Sequence, residues 1–474
     1  IPSALFGFEI AKFDVETVRS GHVNYTFAFD QESQKMSAPD RKELKETVVD
    51  ALEFYESVFG PYPLDELTVS TVPRDFSQGM LGFVTLSSAM IDDLSWRESL
   101  FGEMDRRAVI AHEVAHQWWA NLVGFTSYRD QWLSEAMANF AAMTYSRQKI
   151  GSKHSMRRLG LANWDMVLFS LENGRSIESY GPMTLGARLD STRARAYLPV
   201  VYVKGTLVLD MLSRRFVDQD AFLTMLRHLV KATANRPLTT DQFIDALERM
   251  SGADLTSFAD QYIYGTGAPR IYYSYGVEPG EGNRWRLQGE VLQFPSNLGR
   301  LRVTTDESGR MDVYQETRPT GESDGLGLVL PFVVKVGGQE TSYLNGRIAL
   351  QEHRTPFGFE LEQKPLEMHL DRGGQVLAVC ISAASRPKDY LVDLGWSLRH
   401  AGRLDEAAEA FRDAIAEESL GKAKGVTADT RQAARVLTRQ LSRYGLEIKI
   451  RQPTESERRR SLDLTAYSSL ASIH

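Results

Sequence analysis

The spacing of hydrophobic positions divides the chain into four segments. Residues 1–35 alternate between apolar and polar side chains, as in FEIAKFDV and HVNYTFAF, and this period of two predicts β-strands. Residues 36–269 have mostly helical spacing, with a first helix predicted from Asp40 to Tyr55. Within that segment, residues 65–90 predict short strands joined by a glycine-containing turn, SQGMLGFVTLS.

The second half of the chain passes from strand to helix again. Residues 270–384 contain alternating runs such as WRLQGEVLQ, LPFVVKV and FGFELEQ, separated by Gly, Asn and Asp turns, which is typical of a β-sandwich. Residues 385–474 return to helical spacing and end in a polar ESERRR tract and a loose tail. We therefore predict a multidomain α+β protein with a mostly helical domain, a small β-sandwich and a C-terminal α-helical domain.

Composition narrows the classes of function. A chain of 474 residues is too long for one hydrophobic core, and 42% hydrophobic residues fit a folded soluble protein. The net charge is −7 and no long Lys/Arg run is present, so we do not expect nucleic acid as a partner. The single cysteine, Cys380, excludes an internal disulfide framework. We find neither an apolar stretch of membrane-span length nor a signal-peptide pattern, and the localisation stays unknown.

The stretch HEVAHQWW at residues 112–119 is the first candidate for chemistry. The surrounding segment RRAVIAHEVAHQWWANLV has no Pro or Gly, which predicts a helix that continues to Gly124. Positions i and i+4 share one face of a helix, so His112 and His116 can point at one metal ion with Glu113 close by. Two buried structural histidines are the alternative that this motif alone leaves open.

The next predicted helix, DQWLSEAMANFAAMTYSRQ, favours the metal. It places Glu135 among apolar neighbours, where a carboxylate is costly unless it is paired or bound to a cation. An antiparallel return of the chain would bring this residue over His112 and His116. Two imidazoles, one carboxylate and an open fourth position are typical of catalytic zinc. We therefore predict one Zn²⁺ per chain, bound by His112, His116 and Glu135.

These residues form HExxH, eighteen intervening residues and then Glu. The pattern resembles the gluzincin family of zinc metallopeptidases that includes the alanyl (membrane) aminopeptidases and leukotriene A4 hydrolase. The resemblance covers roughly residues 8–380. Further stretches similar to family segments are FGPYPLDELTV (59–69), HQWWANLV (116–123), DQWLSEAMA (130–138), YVKGTLVLDML (202–212) and YGTGAPRIYY (264–273).

The resemblance implies a domain organisation. Its expected parts are the last strands of an N-terminal β-domain (1–35), a thermolysin-like zinc peptidase domain (36–269), a β-sandwich domain (270–384) and a helical domain (385–474). Within the last part, LVDLGWSLRHAGRLDEAAEAFRDAI resembles one tetratricopeptide repeat. These C-terminal helices are interpreted either as a cap on the β-domain or as a surface for a protein partner.

Roles for the candidate catalytic residues follow from the chemistry and the resemblance. Zinc lowers the pKa of a coordinated water toward ~7, and Glu113 can take its proton and pass it to the leaving amine. Tyr202 precedes the KG pair and matches the family tyrosine that donates a hydrogen bond to the tetrahedral oxyanion. A core aromatic is the alternative for both Tyr197 and Tyr202. Asp130 is expected to orient a metal ligand or to cap a helix.

The sequence departs from the family at the segment that holds the substrate's amino group. Family aminopeptidases carry GxMEN, and its glutamate binds the free ammonium. The corresponding SQGMLGFVTLS puts Gly79 or Gly82 at that position, depending on the alignment, so the carboxylate is lost. We expect Gly79, Met80, Leu81 and Gly82 to bind a peptide substrate as an edge strand. The predicted function is zinc-dependent hydrolysis of peptide bonds, aminopeptidase-like, with an endo- or oligopeptidase and a catalytically silent protein-binding scaffold as alternatives.

Overall fold

The computed structural model describes most of the chain up to residue 416. The described residues are 7–31, 36–73, 76–88, 106–150, 167, 176–191, 196–216, 219–294, 300–305, 311–316, 325–337, 342–385, 387–400 and 403–416. They fall into two compact units. The first unit contains the described residues up to Val167 and Met183–Ala253, and the second contains residues 176–182 and the described residues from Asp254 onward.

A five-stranded sheet begins the first unit. Its strands are β1 (Phe13–Ser20), β2 (Val23–Asp30), β3 (Glu66–Val72), β4 (Gln78–Met80) and β5 (Phe83–Ser87). They lie in the order β1-β2-β3-β5-β4; the two outer pairs are antiparallel and the two inner pairs are parallel. The strands predicted from the alternating pattern are therefore confirmed, and β4 of the SQGMLG segment lies at the edge of the sheet.

Helices make up most of the rest of the first unit. They are α1 (Ala38–Phe59), α2 (Arg106–Ala115), α3 (Trp132–Tyr145), α4 (Gly205–Arg215), α5 (Gln219–Thr233) and α6 (Thr240–Ser251). A 3₁₀ segment, Met183–Ser191, and a π-helical segment, Leu198–Lys204, precede α4. Two short strands, β6 (Val123–Phe125) and β7 (Arg236–Leu238), pair in parallel.

Helix α1 shows how the sequence sets an element. The Ser37 side chain caps its N-terminus by accepting a hydrogen bond from the Asp40 N–H. The helix ends at Gly60, whose φ of +107° is a conformation that glycine adopts without steric cost. The predicted apolar face is confirmed by four buried side chains, Leu44, Val48, Leu52 and Tyr55.

The second unit is rich in strands. After α7 (Thr256–Tyr262) come β8 (Arg270–Pro279), β9 (Trp285–Phe294), β10 (Arg300–Thr305), β11 (Met311–Glu316), β12 (Leu328–Gly337), β13 (Ser342–Leu350), β14 (Arg354–Leu361), β15 (Lys364–Leu370) and β16 (Val379–Ser382). One sheet has the order β14-β9-β8-β16, a second has the order β13-β12-β15, and β10 pairs with β11. The Phe332 and Phe359 rings, 4.7 Å apart, join the two larger sheets.

Two helices complete the described chain. They are α8 (Pro387–His400) and α9 (Leu404–Ala416), and a small residue of the first packs against a large residue of the second. Gly395 lies so close to Phe411 that an added Cβ would be 2.6 Å from the Phe411 ring. Residues 417–474 lie outside the described residues. The helical end domain, its likeness to a tetratricopeptide repeat and the bounds of the four predicted domains therefore stay predictions.

At the level of fold class, the chain is a mixed α/β protein of more than one domain. Within the described residues, no helix combines the length and apolarity that crossing a membrane requires.

Candidate metal centre

The predicted metal ligands converge between α2 and α3, two helices that pack against each other. His112 lies in the last turn of α2, His116 follows its end, and Glu135 lies in the first turn of α3. The Nε2 atoms of the two histidines are 3.1 Å apart. Glu135 Oε2 is 3.6 Å from the first of these atoms and 3.4 Å from the second.

Three donor atoms at these separations fit a zinc ion. In a tetrahedral site with metal–ligand distances of about 2.0–2.2 Å, neighbouring donors lie about 3.3–3.6 Å apart. Among the described residues, His112, His116 and Glu135 form the group of His, Cys, Asp or Glu side chains close enough to share one ion. The Nδ1 atom of His116 is 2.9 Å from the Trp119 carbonyl oxygen, which fixes the ring and leaves Nε2 to face the centre.

The electrostatics of this centre favour a cation. Burial opposes ionisation of Glu135, but the charges of His116 and His112 and their hydrogen bonds outweigh it and hold the Glu135 pKa well below its usual range. Burial likewise favours neutral His116, yet the charges of Glu135 and Glu113 raise its pKa to about 9. Two carboxylates that attract a proton this strongly will also attract a metal ion.

Glu113 is buried beside the ligands and is held by β4. Burial raises its pKa above the usual range, and the charges of the neighbouring histidines act in the opposite direction. The Gly79 N–H donates a hydrogen bond to the carboxylate. A Cβ on Gly79 would lie 2.3 Å from the Glu113 carbonyl oxygen and 2.7 Å from His116 Cβ. Only glycine lets the strand approach α2 this closely.

Two side-chain amides fix the turn between β4 and β5. Gln117 and Asn121 are part of the same HQWWAN segment as His116. Gln117 bonds the Met80 carbonyl and the Gly82 N–H, both at 2.8 Å, and Asn121 bonds the Gly79 carbonyl at 3.2 Å and the Leu81 N–H at 3.1 Å. The four residues predicted to bind substrate, Gly79 to Gly82, therefore lie next to the metal centre. Two of their carbonyl groups and two of their N–H groups are already paired with Gln117 and Asn121. Their contact with a peptide stays a prediction.

The prediction that the helix of HEVAHQWW continues to Gly124 is wrong. Helix α2 ends at Ala115, and the following N–H groups of Gln117 and Trp118 bond the carbonyls three residues back. Ala120 then adopts a φ of +90°, which no right-handed helix can contain. The turn places the amides of Gln117 and Asn121 toward β4, which a continuous helix would not do.

Tyr202 lies at the metal centre. It belongs to the π-helical segment before α4, and its ring stacks on that of His112 with the centroids 6.3 Å apart. Burial first, and the Glu135 charge second, raise the pKa of its hydroxyl, which therefore stays protonated. The Tyr202 ring also packs against that of Tyr197, with the centroids 5.7 Å apart. Tyr197 in turn interacts with Gln131, one turn before Glu135 on α3.

Asp130 has a structural role. Its Oδ1 accepts hydrogen bonds from the Thr240 N–H and hydroxyl at 2.8 and 3.0 Å, and its Oδ2 accepts one from the Ser127 hydroxyl at 2.9 Å. The side chain therefore stabilises the start of α6. The expected N-cap role of Asp130 is not observed, because the N-cap of α3 is Gln131 and that of α6 is Thr239.

Sequence reasoning missed the supporting residues Gln117, Asn121 and Gln131. Gln117 and Asn121 bond backbone groups of a turn that lies 35–42 residues earlier in the sequence, and Gln131 interacts with the phenol of Tyr197. No rule of sequence spacing predicts contacts over such separations. A weak signal existed for Gln117, because a polar side chain between His116 and two tryptophans is expected to bond something when buried.

Replacing Gly79 with Ala is expected to lower kcat/KM for a peptide at least about tenfold. The new Cβ would push β4 away from α2 and remove the hydrogen bond to Glu113, and overpacking of this kind costs about 1–3 kcal/mol. Peptide cleavage and thermal unfolding would both be measured. Gly124→Ala is the matched control, since its Cβ would meet nothing closer than 3.8 Å. Equal activity of the two variants would contradict the close approach.

Comparison with known proteins agrees with this centre. Residues 44–262 match the peptidase family M1 domain. Endoplasmic reticulum aminopeptidase 1 of Homo sapiens is 29% identical over 43% of this chain and 22% of its own length. Aminopeptidase N of Lactococcus lactis subsp. lactis is 30% identical over 47% of this chain and 26% of its own length. Leucyl aminopeptidase of Saccharolobus solfataricus is 22% identical over 68% of this chain and 36% of its own length. The chain thus spans about a fifth to a third of these relatives.

A solved structure extends the likeness in fold. Legionella pneumophila aminopeptidase A, in complex with aspartic acid, superposes with a TM-score of 0.56 at 14% sequence identity. The match covers 97% of this chain and 50% of that one. The cofactor of this family is Zn²⁺, and His112, His116 and Glu135 have the donor atoms and the spacing to hold it. The domain match, the curated relatives and the ligand geometry agree that residues 44–262 form a peptidase family M1 domain.

Proposed function

We propose that this protein is a zinc-dependent metallopeptidase that hydrolyses peptide bonds and does not require the family's glutamate anchor for the substrate's amino group. The observation that carries the proposal is the arrangement of His112, His116 and Glu135 around one point, with Glu113 and Tyr202 beside it. A binding site without chemistry would not need a buried carboxylate next to a complete ligand set.

Each catalytic side chain has one task in this proposal. Zinc, when bound, polarises the scissile carbonyl and activates a water molecule. Glu113 accepts a proton from the attacking water and delivers it to the leaving amine. Its raised pKa suits this exchange, because proton transfer is most efficient when the pKa approaches the working pH. The Gly79 N–H keeps the carboxylate in place between the two transfers.

Tyr202 stabilises the developing negative charge. Its hydroxyl remains protonated because burial raises its pKa, so it is a hydrogen-bond donor throughout the reaction. The contact with Tyr197, and through it the link to Gln131, orients the phenol. The donor is therefore positioned before the substrate arrives, which is the condition for strong electrostatic stabilisation.

Tyr202→Phe is expected to lower kcat about 10²- to 10³-fold and to change KM little, which is the usual effect of removing one oxyanion donor. Tyr197→Phe is the comparison, since it removes only the support of that donor and should cost less. Steady-state kinetics on one peptide measures both. A larger loss in Tyr197→Phe than in Tyr202→Phe would reverse the two assignments.

The experiment that tests the function uses two peptides of one sequence, one with a free amino terminus and one acetylated, with zinc content determined on the same sample. Neither Gly79 nor Gly82 can bind an ammonium with a side chain, so we expect both peptides to be cut. Cleavage of the free peptide alone would mean an amine anchor elsewhere and an aminopeptidase. No cleavage with zinc fully bound would contradict the proposal and favour the protein-binding scaffold.

A further inference from the structure

We propose that Arg129 and Arg188, which both lie against the ring of Tyr128, form a carboxylate-binding subsite for the peptide substrate. The inference rests on the proposed function and adds a substrate class to it. The guanidinium carbon of Arg188 is 4.4 Å from the centroid of the Tyr128 ring, and that of Arg129 is 5.8 Å from it. Arg129 Nε also donates a hydrogen bond of 3.2 Å to the Tyr128 hydroxyl.

This pair of arginines differs from other arginines of the first unit. Arg106, Arg147 and Arg214 each bond at least one carboxylate. Among the described residues, the side chains of Arg129 and Arg188 contact Tyr128 and form no ion pair with a carboxylate. Two like charges beside one ring repel each other, and an anion bound by both would relieve that repulsion.

The position of the pair is set by a close backbone contact. Gly186, in the segment that carries Arg188, has a φ of +51°, and a Cβ there would lie 2.1 Å from the Tyr128 carbonyl oxygen. The same Cβ would lie 3.5 Å from Gln131 Oε1. The two chain segments can meet because position 186 is glycine. This contact brings together arginines that are 59 positions apart in sequence.

A series of neighbouring side chains leads from this contact to the metal centre. Gln131 interacts with Tyr197, the Tyr197 ring is 5.7 Å from that of Tyr202, and the Tyr202 ring stacks on that of His112 with the centroids 6.3 Å apart. Gln131 and Glu135 are also one helical turn apart. The arginine pair therefore lies on the Tyr197 side of the centre, a few side chains from the metal ligands, where a bound peptide can present another part of itself.

The chemistry of the pair selects a carboxylate. A guanidinium offers two parallel N–H donors that match the two oxygens of a carboxylate. In a peptide, that group is either an Asp or Glu side chain or the free carboxy-terminus. Both arginines are exposed. Arg129 Nε donates to the Tyr128 hydroxyl, but the terminal NH₂ groups of Arg129 and the donors of Arg188 have no hydrogen-bond acceptor among the described residues.

The test measures binding without turnover, in a Glu113→Gln background loaded with zinc. The probes are eight-residue peptides that carry Glu or Gln at one position, each with a free or an amidated carboxy-terminus. We expect the Glu peptide or the free-terminus peptide to bind about tenfold more tightly than its neutral counterpart, as a charge-assisted hydrogen bond implies. The Glu/Gln comparison identifies a side-chain carboxylate, and the acid/amide comparison identifies the terminal one.

Arg129→Gln/Arg188→Gln in the same background should abolish this preference and leave binding of the neutral amidated peptide unchanged. Arg236→Gln/Arg249→Gln, two exposed arginines of the same unit, is the control for net charge. An undiminished preference in the first double variant, or no preference in the parent protein, would overturn the subsite. Since binding is read without hydrolysis, failure of the subsite and failure of the peptidase proposal are separate results.

Discussion

Replacing Glu113 with Gln is expected to lower the rate of peptide hydrolysis about 10²- to 10⁴-fold while zinc stays bound. The amide keeps the size of the side chain and can still bond the Gly79 N–H through its oxygen. It cannot accept and return a proton, and the loss of one general acid–base group costs a factor of this size. Turnover of the acetylated and free peptides, together with zinc content, measures the effect.

The control is a carboxylate of the same unit without a catalytic task. Glu46 lies on the exposed face of α1, where its side chain is 3.8 Å from Lys42, and Glu46→Gln should leave both turnover and zinc content unchanged. If Glu113→Gln retained full turnover, the assignment of the base would fail. If it lost zinc instead, Glu113 would have to be counted among the ligands.

The convergence of the three proposed ligands could be predicted from the sequence because each inference was local. A four-residue spacing predicts that His112 and His116 face the same way, and their Nε2 atoms are 3.1 Å apart although α2 ends at Ala115. Glu135 was recognisable as a carboxylate in an otherwise apolar helix, which burial makes costly without a partner. Both rules act over one or two helical turns and do not depend on the rest of the fold.

The supporting contacts could not be predicted because they depend on the tertiary approach of distant segments. The pairing of Gln117 and Asn121 with the β4–β5 turn requires α2 to stop at Ala115, and Ala120 to adopt a positive φ. Nothing in an apolar run without Pro or Gly indicates that stop. Likewise, the segments that carry Tyr128 and Arg188 touch because position 186 is glycine.

In the edge strand β4, the fold gives Gly79 a role that its sequence position does not indicate. In the sequence, Gly79 or Gly82, depending on the alignment, stands where family aminopeptidases carry the glutamate. In the fold, Gly79 is also where β4 contacts α2, with a donor aimed at Glu113 and no room for a Cβ. A side chain facing α2 at position 79 would collide with that helix.

Glu135→Gln is expected to remove zinc and, with it, hydrolysis. The substitution keeps the shape of the side chain and removes the only carboxylate among the three ligands. An amide oxygen is a weaker zinc ligand than a carboxylate, and it no longer balances the charge of the metal. Loss of a residue that only orients a metal ligand lowers metal affinity by up to about 100-fold. We expect the loss of a ligand itself to lower the zinc affinity by more than that.

Glu113→Gln is the matched control for this result, because both substitutions neutralise a buried carboxylate in the same cluster. A purely structural role for the cluster would make the two variants alike in zinc content. The proposed roles separate them: Glu135→Gln loses zinc, and a large excess of Zn²⁺ should restore part of its turnover, whereas Glu113→Gln keeps zinc and no excess restores it. Zinc determination after dialysis, followed by titration of activity with Zn²⁺, measures both. If Glu135→Gln kept its zinc, the third ligand would have to be another residue, and the centre between α2 and α3 would need a new assignment.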